Sequence, residues 1–130
     1  MAVKDKYLFI KKSQIPIAGK GLYTNKSISK GSQITEYKGI VASWDDTDQR
    51  NGKNRYLLYI DKKTVINAHS ALDTFGRYAN DAKGPRKVEG LKNNSEYITH
   101  GKRVFITAKR NIEAGEEIFV GYGKDYWDNY

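Results

Sequence analysis

Gly115-Glu116-Glu117-Ile118-Phe119-Val120-Gly121-Tyr122-Gly123-Lys124-Asp125-Tyr126-Trp127 is the stretch on which the reading of this 130-residue chain turns. It joins a glycine-led turn, a short apolar strand, a tyrosine between two glycines and an aromatic pair. Glycine on both sides of Tyr122 opens backbone conformations closed to other residues and lets another group approach closely, so the phenol is expected to point into a cleft. Chain ends fray unless something ties them down. Tyr122, Tyr126, Trp127 and Tyr130 give this end aromatic surface to bury, and residues 121–130 are expected to dock as a tail.

Working outward, the same pattern occurs earlier in the chain. Ile28-x-x-Gly31-x-x-Ile34-x-x-Tyr37 matches Ile112-x-x-Gly115-x-x-Ile118-x-x-x-Tyr122: a turn, a strand and a tyrosine both times. The unit is too short for a solenoid repeat. It reads as two similar strand-turn-strand units that bring two phenols to one place, with coincidence in a glycine-punctuated β protein as the alternative. Ser32 to Val41 alternates apolar and polar residues and reads as one strand kinked near Gly39. Tyr7 to Ile10 reads as a first strand, Tyr56 to Ile60 with Thr64 to Ile66 as a hairpin, and Ser95 to Thr99 with Arg103 to Thr107 as a second one. Ser43 to Gln49 opens with a capping serine and early acids, as a short helix over 43–52 prefers. Ala18-Gly19-Lys20-Gly21 is a loop; without a third glycine and a following helix it is no dinucleotide fingerprint. Phe75 to Ala82 mixes aromatic, glycine and amide with no period, the kind of segment that carries sites. Lys83 to Asn94 reads as loop.

Composition bounds the chemistry. The length suits one domain with a real core. Twenty-three Lys and Arg against 15 Asp and Glu leave +8, which favours phosphate-rich or acidic partners without choosing one. With no cysteine, disulfides, zinc ribbons and thiol nucleophiles are excluded. The two histidines stand 31 positions apart without a ligand pattern, so no metal site is expected. Neither a Gly-x-Ser-x-Gly elbow nor a phosphate-binding Gly-Lys-Ser/Thr occurs. No apolar run reaches membrane-spanning length, and the first residues lack the apolar core of a secretory signal. The expectation is a soluble intracellular protein with no membrane contact.

Four motifs, in order, resemble those of the SET domain, the fold of protein-lysine methyltransferases that use S-adenosyl-L-methionine. Ala18 to Tyr23 looks like its first cofactor loop, and Glu36-Tyr37-Lys38-Gly39 is similar to its Tyr-x-Gly. Gly76 to Ala82 stands where the family has Arg-Phe-x-Asn-His-Ser, and Gly115 to Ile118 followed by Gly121-Tyr122-Gly123 resembles its last motif. The resemblance covers about Ile15 to Trp127. It implies a mainly β fold, a β-clip of short strands in small sheets with one or two short helices and a pseudoknot near the C-terminus. Residues 1–130 would form one SET domain, with an N-terminal strand in 1–14, a helical insert at 43–52 and the aromatic tail closing the site.

The resemblance also implies roles. Ala18, Gly19, Lys20, Tyr56, Arg77, Asn80, Asp81 and Trp127 would hold S-adenosyl-L-methionine, released as S-adenosyl-L-homocysteine. Tyr37, Tyr97 and Tyr122 would surround the lysine of a protein substrate such as a histone tail. A lysine amine, with a reference pKa near 10.4, must lose a proton before it attacks; an aromatic channel disfavours the ammonium, and phenols can aim the neutral amine. Two positions depart from the family: Asp81 replaces its histidine and Ala82 its usual serine. The 130 residues hold no cysteine for the family's zinc cluster, so the aromatic tail Tyr126-Trp127 is expected to close the cofactor pocket. Two alternatives stay open: a SET-like basic module that binds chromatin or nucleic acid without catalysis, and a structural β protein whose tyrosines are all core. A homodimer is compatible with the sequence.

Overall fold

The computed structural model describes residues 3–16, 18–42, 57–61, 64–68, 71–83 and 88–122. Within them are nine short strands: β1 (Leu8–Lys12), β2 (Lys20–Thr24), β3 (Gln33–Glu36), β4 (Ile40–Ala42), β5 (Leu57–Asp61), β6 (Thr64–Asn67), β7 (Ser95–His100), β8 (Arg103–Ala108) and β9 (Glu117–Ile118). They form three antiparallel sheets of three strands, in the orders β1-β2-β9, β3-β8-β7 and β4-β6-β5. Two 3-10 turns, Asp5–Tyr7 and Gly76–Tyr78, are the only helical pieces among the described residues. The fold is mainly β in small sheets, as expected. The expected helix at 43–52 lies outside the described residues.

Alternation decides which face each strand buries. In β8, Val104, Ile106 and Ala108 are buried while Arg103, Phe105 and Thr107 point away, the period of two that a half-buried strand imposes. Ile106 joins Leu22, Ile34, Ile112, Ile118 and Val120 in the main core, where each fully buried aliphatic side chain contributes about 1.5–3 kcal/mol. The β7–β8 hairpin keeps register through six pairs, from Ser95 opposite Ala108 to His100 opposite Arg103. The reading of 32–41 as one strand needs correction: it is two strands in different sheets, separated at Tyr37 to Gly39. Tyr37 itself donates its backbone N–H to the Val104 carbonyl at 2.8 Å.

The two similar units meet. Ile28 and Ile112 form an antiparallel bridge with reciprocal N–H to carbonyl bonds of 2.8 Å. The turns that follow carry Gly31 at φ 88° and Gly115 at φ 91°, a region costly for residues with a Cβ. The segment after β9 then runs between two others: Phe119 pairs parallel with Asn80, and Val120 parallel with Ser95. Asn94 substitutes for strand backbone here, accepting from the Phe119 N–H at 3.0 Å and donating to the Glu117 carbonyl at 2.9 Å.

Candidate active site

Tyr37, Tyr97 and Tyr122 come from the break after β3, from β7 and from the segment after β9, and the fold brings their rings together. Tyr97 meets Tyr37 edge-on at 5.9 Å between ring centres and stacks on Tyr122 at 6.5 Å with 19° between planes. Both distances suit favourable aromatic pairing. Tyr37 is 5% exposed; Tyr97 and Tyr122 are half-buried. The Tyr122 hydroxyl donates to the Ala79 carbonyl at 2.6 Å. With its proton committed to that carbonyl, the phenol oxygen offers a ligand its lone pairs.

Asp81 fixes the backbone beneath this phenol. Its Oδ2 accepts the Tyr122 N–H at 2.9 Å, and its Oδ1 accepts from the Lys83 N–H at 2.8 Å and from Asn93 Nδ2 at 2.9 Å. Asn93 completes the loop by accepting the Ala82 N–H at 2.8 Å through Oδ1. Asp81, Asn93 and Asn94 are all buried, where an unmade hydrogen bond costs about 1–3 kcal/mol. The aspartate is thus accommodated by the side chain of Asn93. Gly121 corrects one expectation: it is not among the positive-φ glycines, and a Cβ there would make only ordinary contact, 3.5 Å from Asn93 Nδ2.

The Ala18 to Lys20 loop is tied to the same segment through Asn80. Asn80 Nδ2 donates to the Lys20 carbonyl at 3.0 Å, while the Asn80 carbonyl accepts from the Val120 N–H at 2.8 Å. One asparagine therefore links the loop to the segment after β9 that carries Tyr122. Gly19 has φ 75° with open space where a Cβ would stand, and Lys20 is exposed. Gly21 serves a different need: a Cβ there would collide with the Glu117 carboxylate.

Glu117 is the functional residue that sequence reasoning missed. It is 1% exposed and accepts from Ser13 Oγ at 2.6 Å, the Gln14 N–H at 2.9 Å, Gln14 Nε2 at 3.4 Å and Tyr23 Oη at 3.1 Å. Ser13 Oγ in turn accepts the Ile15 N–H at 3.1 Å, and the Ser13 N–H reaches the Gly19 carbonyl at 2.8 Å. The carboxylate thereby fastens the start of the loop to β9, five residues before Tyr122. Burial first, then the neighbouring Glu117 charge and hydrogen bond, push the Tyr23 phenol up to about 12. In the sequence Glu117 is one of two glutamates after a glycine turn, and nothing local distinguishes it from the more exposed Glu116. Asn93 and Asn94 were likewise hidden in a stretch that reads as loop; two adjacent asparagines before a strand were the one available signal.

Among the other expected residues, Arg77 is half-buried, donates Nη1 to the Ala68 carbonyl at 3.1 Å and lies over the Tyr78 ring at 5.2 Å. Tyr56 and Trp127 lie outside the described residues, as does the tail beyond Tyr122. At the outer edge of β3, Arg103 grips Glu36 through two hydrogen bonds of 2.8 and 3.1 Å and holds its carboxyl below the usual value. The arrangement joins an aromatic cluster carrying a hydroxyl oxygen to an open glycine loop bearing a lysine.

Residues 19–123 match the SET domain family. The chain is 29% identical to the histone-lysine N-methyltransferase EZH2 of Chaetomium thermophilum over 93% of its own length, and 31% identical to the histone-lysine N-methyltransferase trr of Drosophila melanogaster over 86%. An N-lysine methyltransferase of Danio rerio is 26% identical over 81% of the chain. The chain spans 8%, 5% and 32% of these relatives, respectively. With the family pattern covering most of its length, the chain belongs to the SET domain family.

Proposed function

We propose that the chain is an S-adenosyl-L-methionine-dependent protein-lysine N-methyltransferase that acts inside the cell on a protein such as a histone. The observation that carries this reading is the meeting of the Tyr37, Tyr97 and Tyr122 rings, the last of them bonded to Ala79 in a segment whose Asn80 side chain is bonded to the Lys20 carbonyl. The names of the relatives support the reaction class. The residues present also fit the cofactor. Open space at Gly19 leaves its backbone accessible, carbonyl oxygens suit a sulfonium, and the exposed Lys20 suits a carboxylate.

When bound, the cofactor supplies an electrophilic methyl group on sulfur, transferred to nitrogen with release of S-adenosyl-L-homocysteine. The rest is done by the protein. The three rings exclude water from the substrate lysine and favour its neutral amine. Tyr122, its proton held by the Ala79 carbonyl, accepts an N–H of that amine and turns the nitrogen lone pair toward the methyl. Asp81, by holding the Tyr122 N–H, keeps the phenol at that angle. Displacement at a methyl group is in-line, so positioning is the main catalytic contribution, with favourable cases reaching roughly 7–11 kcal/mol.

The test is methyl transfer itself. Purified protein incubated with methyl-labelled cofactor and core histones is expected to place label on lysine side chains, read by mass spectrometry, and to bind the cofactor in calorimetry. Absence of both would overturn the reading.

A further inference from the structure

The first 30 residues hold seven lysines and one acid, Asp5, so six of the eight net positive charges fall in this quarter of the chain. The fold gathers many of them around the β1–β2 pair. Phe9 and Tyr23, opposite one another in register, stack at 5.5 Å, and Lys11 Nζ lies 4.5 Å from the centre of the Tyr23 ring. At one end Lys6 and Lys26 both lie over Tyr7, at 5.2 and 4.6 Å. At the other, Lys12 stands opposite Lys20, but alternation turns that pair to the reverse face from Phe9, Lys11 and Tyr23, so the cationic stripe is carried by Lys6, Lys11 and Lys26. All five lysines are exposed. The ion pairs found among the described residues belong to Arg103 and Arg110, not to these lysines.

We propose that this face of the β1–β2 sheet docks on the phosphate backbone of duplex DNA. The aromatic rings hold ammonium groups close to the sheet without neutralising them, which leaves a flat cationic stripe. The extended part, Leu8 to Lys12, covers about 13 Å, matching about four base pairs of duplex. A membrane is the poorer partner, because the exposed large apolar side chains among the described residues, Ile40, Val41 and Leu72, belong to other parts of the fold. The choice of duplex DNA rests on the histone reading above, since a histone substrate is met wrapped in DNA.

The experiment is fluorescence anisotropy of a labelled duplex of about 20 base pairs, without cofactor or histone, across about 50–200 mM salt. About three phosphate contacts, one each from Lys6, Lys11 and Lys26, give a slope of log affinity against log salt near −3. The triple variant Lys6→Ala, Lys11→Ala, Lys26→Ala is expected to lose about 2–3 of that slope and at least tenfold in affinity at about 100 mM salt. The triple arginine variant at the same positions keeps both, which separates charge from folding. Neither variant changes methyl transfer to a free lysine peptide. A salt-independent wild type, an alanine variant that binds like wild type, or displacement of DNA by polyglutamate at equal charge overturns the proposal, the last in favour of an acidic protein partner. DNA binding without methyl transfer defeats only the functional reading; transfer to peptide without DNA binding defeats only this one.

Discussion

Glu117 and Asp81 are both buried carboxylates that gather hydrogen-bond donors from distant segments, yet they hold different things. Glu117 takes Ser13, Gln14 and Tyr23, all about a hundred residues away in sequence, and so ties the loop frame to β9. Asp81 takes the Tyr122 N–H, Asn93 and Lys83, and so ties the phenol to the segment beneath it. The site is therefore assembled in two steps: one acid sets where the loop lies, the other where the phenol lies. Breaking one should damage stability and cofactor binding first; breaking the other should damage turnover first.

The largest effect is expected from Glu117→Ala. It leaves the Ser13 hydroxyl and the Gln14 N–H without their acceptor and the Tyr23 hydroxyl with the Lys12 carbonyl alone, and at about 1–3 kcal/mol for each unsatisfied donor the loss is about 2–4 kcal/mol after partial relaxation. Denaturant unfolding checks it. Asp81→Asn comes next: its amide turns a donor toward one of the three N–H groups that the carboxylate accepts. A loss of about 1–2 kcal/mol is expected, with turnover reduced at saturating cofactor while cofactor affinity holds within about twofold. Equal losses in both quantities would erase the division between the two acids.

Tyr23→Phe sharpens the comparison from the Glu117 side. Removing the hydroxyl that reaches Glu117 and the Lys12 carbonyl costs about 1 kcal/mol near neutral pH, and it also changes the alkaline response. The phenol is raised from 10.0 to about 12 in the folded protein, so the folded chain keeps a proton that the unfolded chain loses. Stability from this group is complete below pH 10 and is lost as pH rises to about 12. The variant should lack that decline in a pH series of thermal melts. The smallest effect belongs to Arg103→Ala. Arg103 is 64% exposed in its pair with Glu36, and solvent screens such pairs so far that denaturant unfolding should barely separate the variant from wild type. Hydrogen bonding from Arg103 lowers the Glu36 carboxyl below its ordinary 4.5, so what the pair contributes is present above that value and fades as pH falls through the lowered one.

Much of the fold was legible because strands write themselves locally. The two hairpins followed from alternation and turn residues, and the Ile28 and Ile112 units, alike in sequence, proved to be paired in space. The split of 33–42 into strands of two sheets was not legible, because the break at Tyr37 to Gly39 is set by packing: the Glu36 carbonyl and Tyr37 backbone lie so close to Gly76 that a Cβ there would clash. At the site, the tyrosines stood out by type and placement. Glu117, Asn93 and Asn94 did not, since their meaning lies in partners 11 to 104 residues away. Side chains that work by satisfying a buried backbone leave no period and no motif.

The central claim is that the Tyr122 hydroxyl, anchored on the Ala79 carbonyl, aims a lysine amine at the cofactor. Single-turnover methyl transfer by Tyr122→Phe at saturating cofactor tests it most directly, because the ring and its packing survive and only the oxygen is lost. A rate at least tenfold below wild type is the predicted result; a rate equal to wild type would contradict the claim.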